Sequence, residues 1–217
     1  MPNIYKNTKG KRVKGTTTFI GRQCAWGKDG LNYWFWKEGA EGRNFNERSE
    51  KLATSGTFVH DRIDHFFLGK KYVEPLKLKD LGEEAIERYH AGWASFEGWV
   101  AAYKPETIAT EQQMVDDELG FGGMLDWVGK TVNGITIIDW KHSKYANHIV
   151  QISSYRYLWN QKHPDQLVTS ADILKLGTNS ASFAHAHIVG SDLDDAFRGF
   201  RAFIFLDDLE RRLKKFI

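Results

Sequence analysis

An α/β or α+β domain built on one sheet is what the sequence predicts, on three observations. Helical periodicity dominates the chain between residues 22 and 103, short segments rich in β-branched and aromatic residues replace it after Pro105, and a helix then precedes two further strands. Residues 1–217 read as one domain, with 1–104 mainly helical and 105–217 carrying the sheet and a closing helix. At 41% hydrophobic and 27% charged residues with only 4 Pro, the chain can bury a core, which excludes disordered and collagen-like classes.

In order along the chain, the aromatic stretch 22–37 reads as a helix, and 46–68 as one or two more, with Ser55 or Thr57 able to cap the second part. Phe58, Val59, Ile63, Phe66 and Phe67 form a stripe at helical spacing, which leaves His60 and Asp64 on one adjacent face. Residues 69–80 look like a loop around Pro75. The helix 81–103 stops before Pro105, because proline disfavours helical geometry in the residue before it. Strands follow at 107–115, 121–129 and 134–141, and Asn133-Gly134 marks a hairpin between the last two. An amphipathic helix over 147–162, strands at 168–176 and 181–189, and a helix over 192–215 complete the order.

The single cysteine, Cys24, cannot form an internal disulfide or hold an iron–sulfur cluster, and it fits a reducing compartment. No apolar run is long enough for a membrane span and no secretory signal opens the chain, so a cytoplasmic location, in a bacterial cell or a phage-infected host, is expected. The net charge of +2 hides clusters at both ends, Lys6 to Lys14 and Arg211 to Lys215, which are either phosphate contacts or solvated tails. Aromatic residues reach 14%, more than a core alone asks for, and some could stack on bases.

Chemistry concentrates at one strand end. Period-two alternation puts Ile135, Ile137, Asp139 and Lys141 on one face, with Asp139 and Lys141 about 7 Å apart. Across the hairpin, Asp126 falls within one or two pairs of them. Two carboxylates suit a hard cation such as Mg2+ or Mn2+, and a nearby amine can orient a water or offset charge on a phosphate, so the chemistry invited is phosphodiester hydrolysis. Acid-x-Lys spacing arises readily by chance, and a surface ion pair is the plain alternative. Two charged residues closing an Ile-rich strand are poorly explained by packing. Gln151 and Tyr155, at i and i+4, face one side of the next helix and can either contact a phosphate or be ordinary surface residues. His185 and His187 share a strand face, but no third acid lies near in sequence, which favours surface or core roles.

The segments GTFVH (56–60), GMLD (123–126), IIDWK (137–141) and QISSY (151–155) together resemble the PD-(D/E)XK nuclease superfamily, in its RecB-like exonuclease branch, similar to phage exonucleases and the mitochondrial genome maintenance exonuclease. The resemblance implies a restriction-endonuclease-like central mixed sheet flanked by helices, with extra N-terminal helices. It implies that His60, Asp126, Asp139 and the main-chain carbonyl of Trp140 hold Mg2+ or Mn2+. Lys141 would then serve catalysis, while Gln151 and Tyr155 contact DNA or align the reacting phosphate. Glu111 is either an outer-shell or second-metal residue or a surface acid. With one cysteine no iron–sulfur cluster is expected, and without a phosphate-binding loop no nucleotide cofactor.

The expected function is a metal-dependent DNA exonuclease on single strands or free ends, in repair, recombination or replication. A structure-specific endonuclease of the same fold and a non-catalytic single-strand-binding module are the alternatives.

Overall fold

The computed structural model describes residues 3–26, 28–143 and 146–216. In chain order the elements are β1 (Tyr5–Lys6), β2 (Arg12–Gly15), α1 (Thr16–Gln23), α2 (Lys28–Ala40), α3 (Phe45–Phe67), a 3-10 turn (Leu76–Leu81), α4 (Glu83–Tyr103), β3 (Glu106–Asp116), β4 (Phe121–Thr131), β5 (Gly134–Lys141), α5 (Ala146–Lys162), β6 (Ser170–Leu176), β7 (Phe183–Val189) and α6 (Gly190–Leu213). Seven strands make one mixed sheet in the order β1-β2-β4-β5-β6-β7, with β3 on β4. β5 and β6 run parallel because α5 carries the chain across between them, whereas the β3-β4, β4-β5 and β6-β7 pairs are antiparallel. The central mixed sheet flanked by helices, with extra helices at the N-terminal end, is therefore present as expected.

Each face of the sheet buries its own core. On one side α1, α5 and α6 cover Phe121, Leu125, Val128, Ile137 and Ile173. On the other, α3 and α4 cover Trp127, Ile138, Trp140 and Leu174, and the rings of Phe67, Phe96, Trp99, Trp127 and Trp140 meet in a mix of edge-to-face and tilted or stacked contacts. Trp99, Trp127 and Trp140 are fully buried, so the aromatic surplus in the composition is largely a core feature.

Several local expectations need correction. The stretch 22–37 is not one helix: α1 ends at Gln23 and α2 starts at Lys28, and Gly27 between them lies outside the described residues. The segment 46–68 is a single helix capped by Asn44, whose side chain accepts from the Asn46 and Glu47 N–H groups. Ser55 and Thr57 are interior to it and donate back to the carbonyls of Leu52 and Ala53 instead of capping. In the β4-β5 hairpin the positive φ falls on Gly134, at +89°, and Asn133 does not share it. The C-terminal basic cluster is paired locally: Arg211 and Arg212 with Asp208, and Lys214 with Glu210. Lys14 is tied to Asp207.

Glu38 joins α2 to α3. Its carboxylate, 1% exposed, accepts from Arg43 at 2.7 and 2.9 Å and from the Trp34 indole at 3.0 Å, and it pairs with Arg48. Arg43 above all holds its pKa down to about 2. A depressed folded-state pKa contributes stability that is present above the unfolded value and lost as pH falls through the folded one. The stability gap between the parent and Glu38→Gln should thus be full above about pH 4.5 and close as pH falls toward about 2. Urea titrations of both proteins across that range check it.

Candidate metal centre and active site

The β4-β5 ladder ends at the Trp127–Ile138 pair, although continuing it would set Asp126 directly opposite Asp139. β5 goes on beside β6 alone, as far as Lys141–Lys175. The strands part here, and the Asp126 carboxylate enters the opening to accept the Trp140 N–H at 3.0 Å. Alternation slips at the same point of β4. Gly123 and Leu125 face α5, but Asp126 and Trp127 both turn toward the α3 side.

On the far edge of β4, the pairs Thr110–Trp127 and Gln112–Leu125 flank Glu111, which faces Asp126. Glu111 adopts a left-handed φ of +46°, a conformation that costs energy for any residue carrying a Cβ and that gathers at functional sites. From α3, His60 brings Nδ1 to 3.5 Å from Asp126 Oδ2, while Asp64 one turn later accepts the Thr110 hydroxyl and docks the helix on β3. One ligand atom each from His60, Glu111 and Asp126 lies within 4.8 Å of the others. Asp139 stands outside this triple: its Oδ2 is 2.8 Å from the Lys141 amine, and its Oδ1 is buried without a hydrogen-bond partner among the described residues.

Electrostatics mark the place as short of positive charge. Burial first, and then the Asp126 charge, push Glu111 up to about 8. Burial also raises Asp126 and Asp139, against the pull of Lys141. Lys141 is itself raised, because the neighbouring carboxylates outweigh its desolvation. His60 is held near 4, so its imidazole is neutral at pH 7 and free to ligate. Hard carboxylate oxygens, one neutral imidazole and an orphaned buried carboxylate oxygen are a donor set that fits a divalent cation. His60, Glu111, Asp126 and Lys141 line a cleft of about 420 Å³ shared with Arg88, His142 and His148.

Gln151 and Tyr155 approach from α5. They are not a pair of surface residues: Tyr155 is buried, and the Gln151 amide donates to its hydroxyl at 2.8 Å. Burial and the nearby Asp139 raise the phenol well above its ordinary range, so it keeps its proton. Its ring also accounts for the glycine three residues before Asp126. A Cβ on Gly123 would come within 2.7 Å of the Tyr155 ring and 3.2 Å of Leu158. Gly123→Ala should therefore destabilise the chain by about 1–3 kcal/mol through overpacking and displace Tyr155, as read by urea unfolding and tyrosine chemical shifts.

Of the residues singled out in the sequence, His60 and Asp126 meet directly, Asp139 and Lys141 form the adjoining pair, and Trp140 supplies the N–H that fixes Asp126. Glu111, left open in the sequence, belongs to the cluster. Its signal was an acid opposite Asp126 across a strand pair. His185 and His187 find the third acid that sequence order concealed. Asp172 on β6 has its Oδ1 2.9 Å from His187 Nδ1 and 3.8 Å from His185 Nδ1, in a separate cleft beside Trp99 and Tyr103.

No family model matches the chain, and no curated protein matches it. Among solved structures it is similar to a candidate exonuclease from Eubacterium rectale, at 12% identity and a TM-score of 0.45, over 68% of this chain and 64% of that one. The chain thus spans less than two thirds of that protein's length. It is also similar to the alkaline exonuclease LHK-Exo from Laribacter hongkongensis, at 13% identity and a TM-score of 0.26, and to LHK-Exo in complex with dAMP, at 15% identity and 0.25. Each of the latter comparisons covers 79% of this chain and 93% of the other.

Proposed function

We propose that this chain is a metal-dependent nuclease hydrolysing DNA phosphodiester bonds, an exonuclease on single strands or free ends. One observation carries the reading: His60, Glu111 and Asp126 converge within 4.8 Å directly beside a buried Asp139–Lys141 pair. A pure binding module has no use for such acids, which repel a polyanion unless a cation stands between.

His60, Asp126, Asp139 and the main-chain carbonyl of Trp140 hold the ion, and Glu111 adds a further oxygen. When bound, Mg2+ or Mn2+ supplies Lewis acidity at the phosphoryl oxygen and acidifies a water. Lys141 donates from its ammonium to a phosphate oxygen and offsets charge that develops there. Tyr155, oriented by Gln151, donates its phenolic proton toward the same phosphate. A second groove near the site supports the reading that the substrate is unpaired DNA. A groove of about 470 Å³ lined by Trp26, Lys28, Leu31 and Trp34 reaches Asn147, the neighbour of His148 in the cleft. Trp26, Tyr33, Phe35 and Trp36 are also exposed around α2, where bases can stack.

The test is a labelled linear single strand and a covalently closed single-stranded circle, each with Mn2+, Mg2+ or EDTA. Metal-dependent loss of the linear strand with the circle intact supports an exonuclease. A cut circle shifts the reading to an endonuclease, and salt-sensitive binding without cleavage to a binding module.

A further inference from the structure

Arg88 on α4 lines the cleft that holds His60, Glu111, Asp126 and Lys141. A guanidinium carries its charge at any working pH. Here its Nε is buried with no hydrogen-bond partner among the described residues. The acid one helical turn before it, Glu84, acts on it through space, but both oxygens of Glu84 already accept from Arg48, at 2.8 and 2.7 Å. Its neighbour His142 offers no counter-charge. Burial and then the Arg88 charge hold that imidazole near 4, so it is neutral, and its Nδ1 is 3.2 Å from the Gly177 carbonyl.

The cleft therefore has two poles. Glu111 and Asp126 want a cation, and Arg88 wants an anion. A buried charged donor without an acceptor weakens a fold, and sites that bind a ligand are where such a group is retained. Phosphate matches best, because the planar guanidinium fork meets two oxygens of one phosphate at once. A nucleic-acid strand brings phosphates to both poles together.

The geometry points to Arg88 as the side chain that grips a phosphate of the strand in the cleft and positions that strand against the metal ligands. This rests on the nuclease reading of the same site. Internal and terminal phosphates share the chemistry, so the substrates must separate them.

The test uses the full chain with Arg88→Met, which keeps bulk and removes charge, and Arg88→Lys, which keeps charge and removes the fork. Binding of a single-stranded oligonucleotide is measured with Ca2+ in place of Mg2+, across a salt series. Arg88→Met should weaken binding about tenfold and flatten the log–log salt slope by about 0.7, the share of one phosphate on a single strand. Arg88→Lys should retain the slope and recover affinity only in part. Without ligand the melting temperature of Arg88→Met should stay close to the parent's, since the half-buried guanidinium has no hydrogen bond at Nε to lose. Inorganic phosphate should raise the melting temperature of the parent and not of Arg88→Met.

A loss confined to strands with a terminal phosphate assigns that phosphate, and an equal loss on hydroxyl-ended strands assigns an internal one. Parent-like binding and salt slope in Arg88→Met overturn the inference. So does a lowered melting temperature with parent-like binding in Arg88→Lys, which marks a structural role. If the parent cleaves nothing, the nuclease reading fails, and the phosphate-dependent melting shift still decides the role of Arg88.

Discussion

Lys141→Ala is expected to slow single-turnover DNA cleavage by about 10²–10³, the usual cost of losing one positioned donor at a developing charge. Asp139→Asn should cost at least as much. The two side chains are 2.8 Å apart and Asp139 is only 1% exposed, so each single variant also strands a charge in the interior. Loss of stability is then mixed with loss of chemistry, and breaking a buried pair from one side costs up to about 3–5 kcal/mol. The double variant Asp139→Asn/Lys141→Met separates the two. It removes both charges, so unfolding free energy should return most of the way to the parent, while cleavage stays at the level of the worse single variant. Urea unfolding and single-turnover rates on one set of four proteins give the answer. A double variant that regains cleavage along with stability would show the pair to be structural.

That pair was legible in the sequence because alternation holds along β5, where Ile137 and Ile138 face opposite cores. Asp139 and Lys141 share a face in any strand, and the hairpin that follows from Gly134 sets Asp126 opposite by counting alone. Tyr155 was legible as a position but not as an environment. The four-residue spacing from Gln151 is a helix property, whereas its burial arises from Gly123, on a strand that α5 meets only through tertiary packing.

Glu111 shows what local reading leaves out. Its place in the cluster depends on a left-handed φ and on a register shift between Thr107 and Ala109, and no turn residue announces either. Asp172 was within reach of the same counting: β6 and β7 are consecutive antiparallel strands, and their register sets Asp172 directly opposite His187, but the two histidines were weighed along the chain and not across the hairpin. The N-terminal strands β1 and β2 escaped for another cause, being short polar segments that become strands only by pairing with each other and with β4. Where the expected caps failed, at Ser55 and Thr57, the hydroxyls found carbonyls inside a helix that continues through them.

Asp126→Asn is the variant in which architecture and chemistry part most cleanly. Asp126 has two tasks, accepting the Trp140 N–H where the ladder opens and offering a charged oxygen beside His60 and Glu111. An asparagine carbonyl can perform the first. It cannot supply the second, so Mn2+ affinity should fall by roughly 10²-fold or more, with cleavage following. Stability should hold or rise slightly, because the Asp126 charge helps to raise both Glu111 and Asp139, and its loss relieves like-charge crowding in the unliganded protein. Asp126→Leu removes the acceptor as well, leaves the Trp140 N–H unpaired and should cost a further 1–3 kcal/mol or so. Calorimetric Mn2+ titration beside urea unfolding distinguishes the pair. If Asp126→Asn binds Mn2+ as the parent does, the ion sits elsewhere, and the opening between β4 and β5 is only a place where a sheet ends.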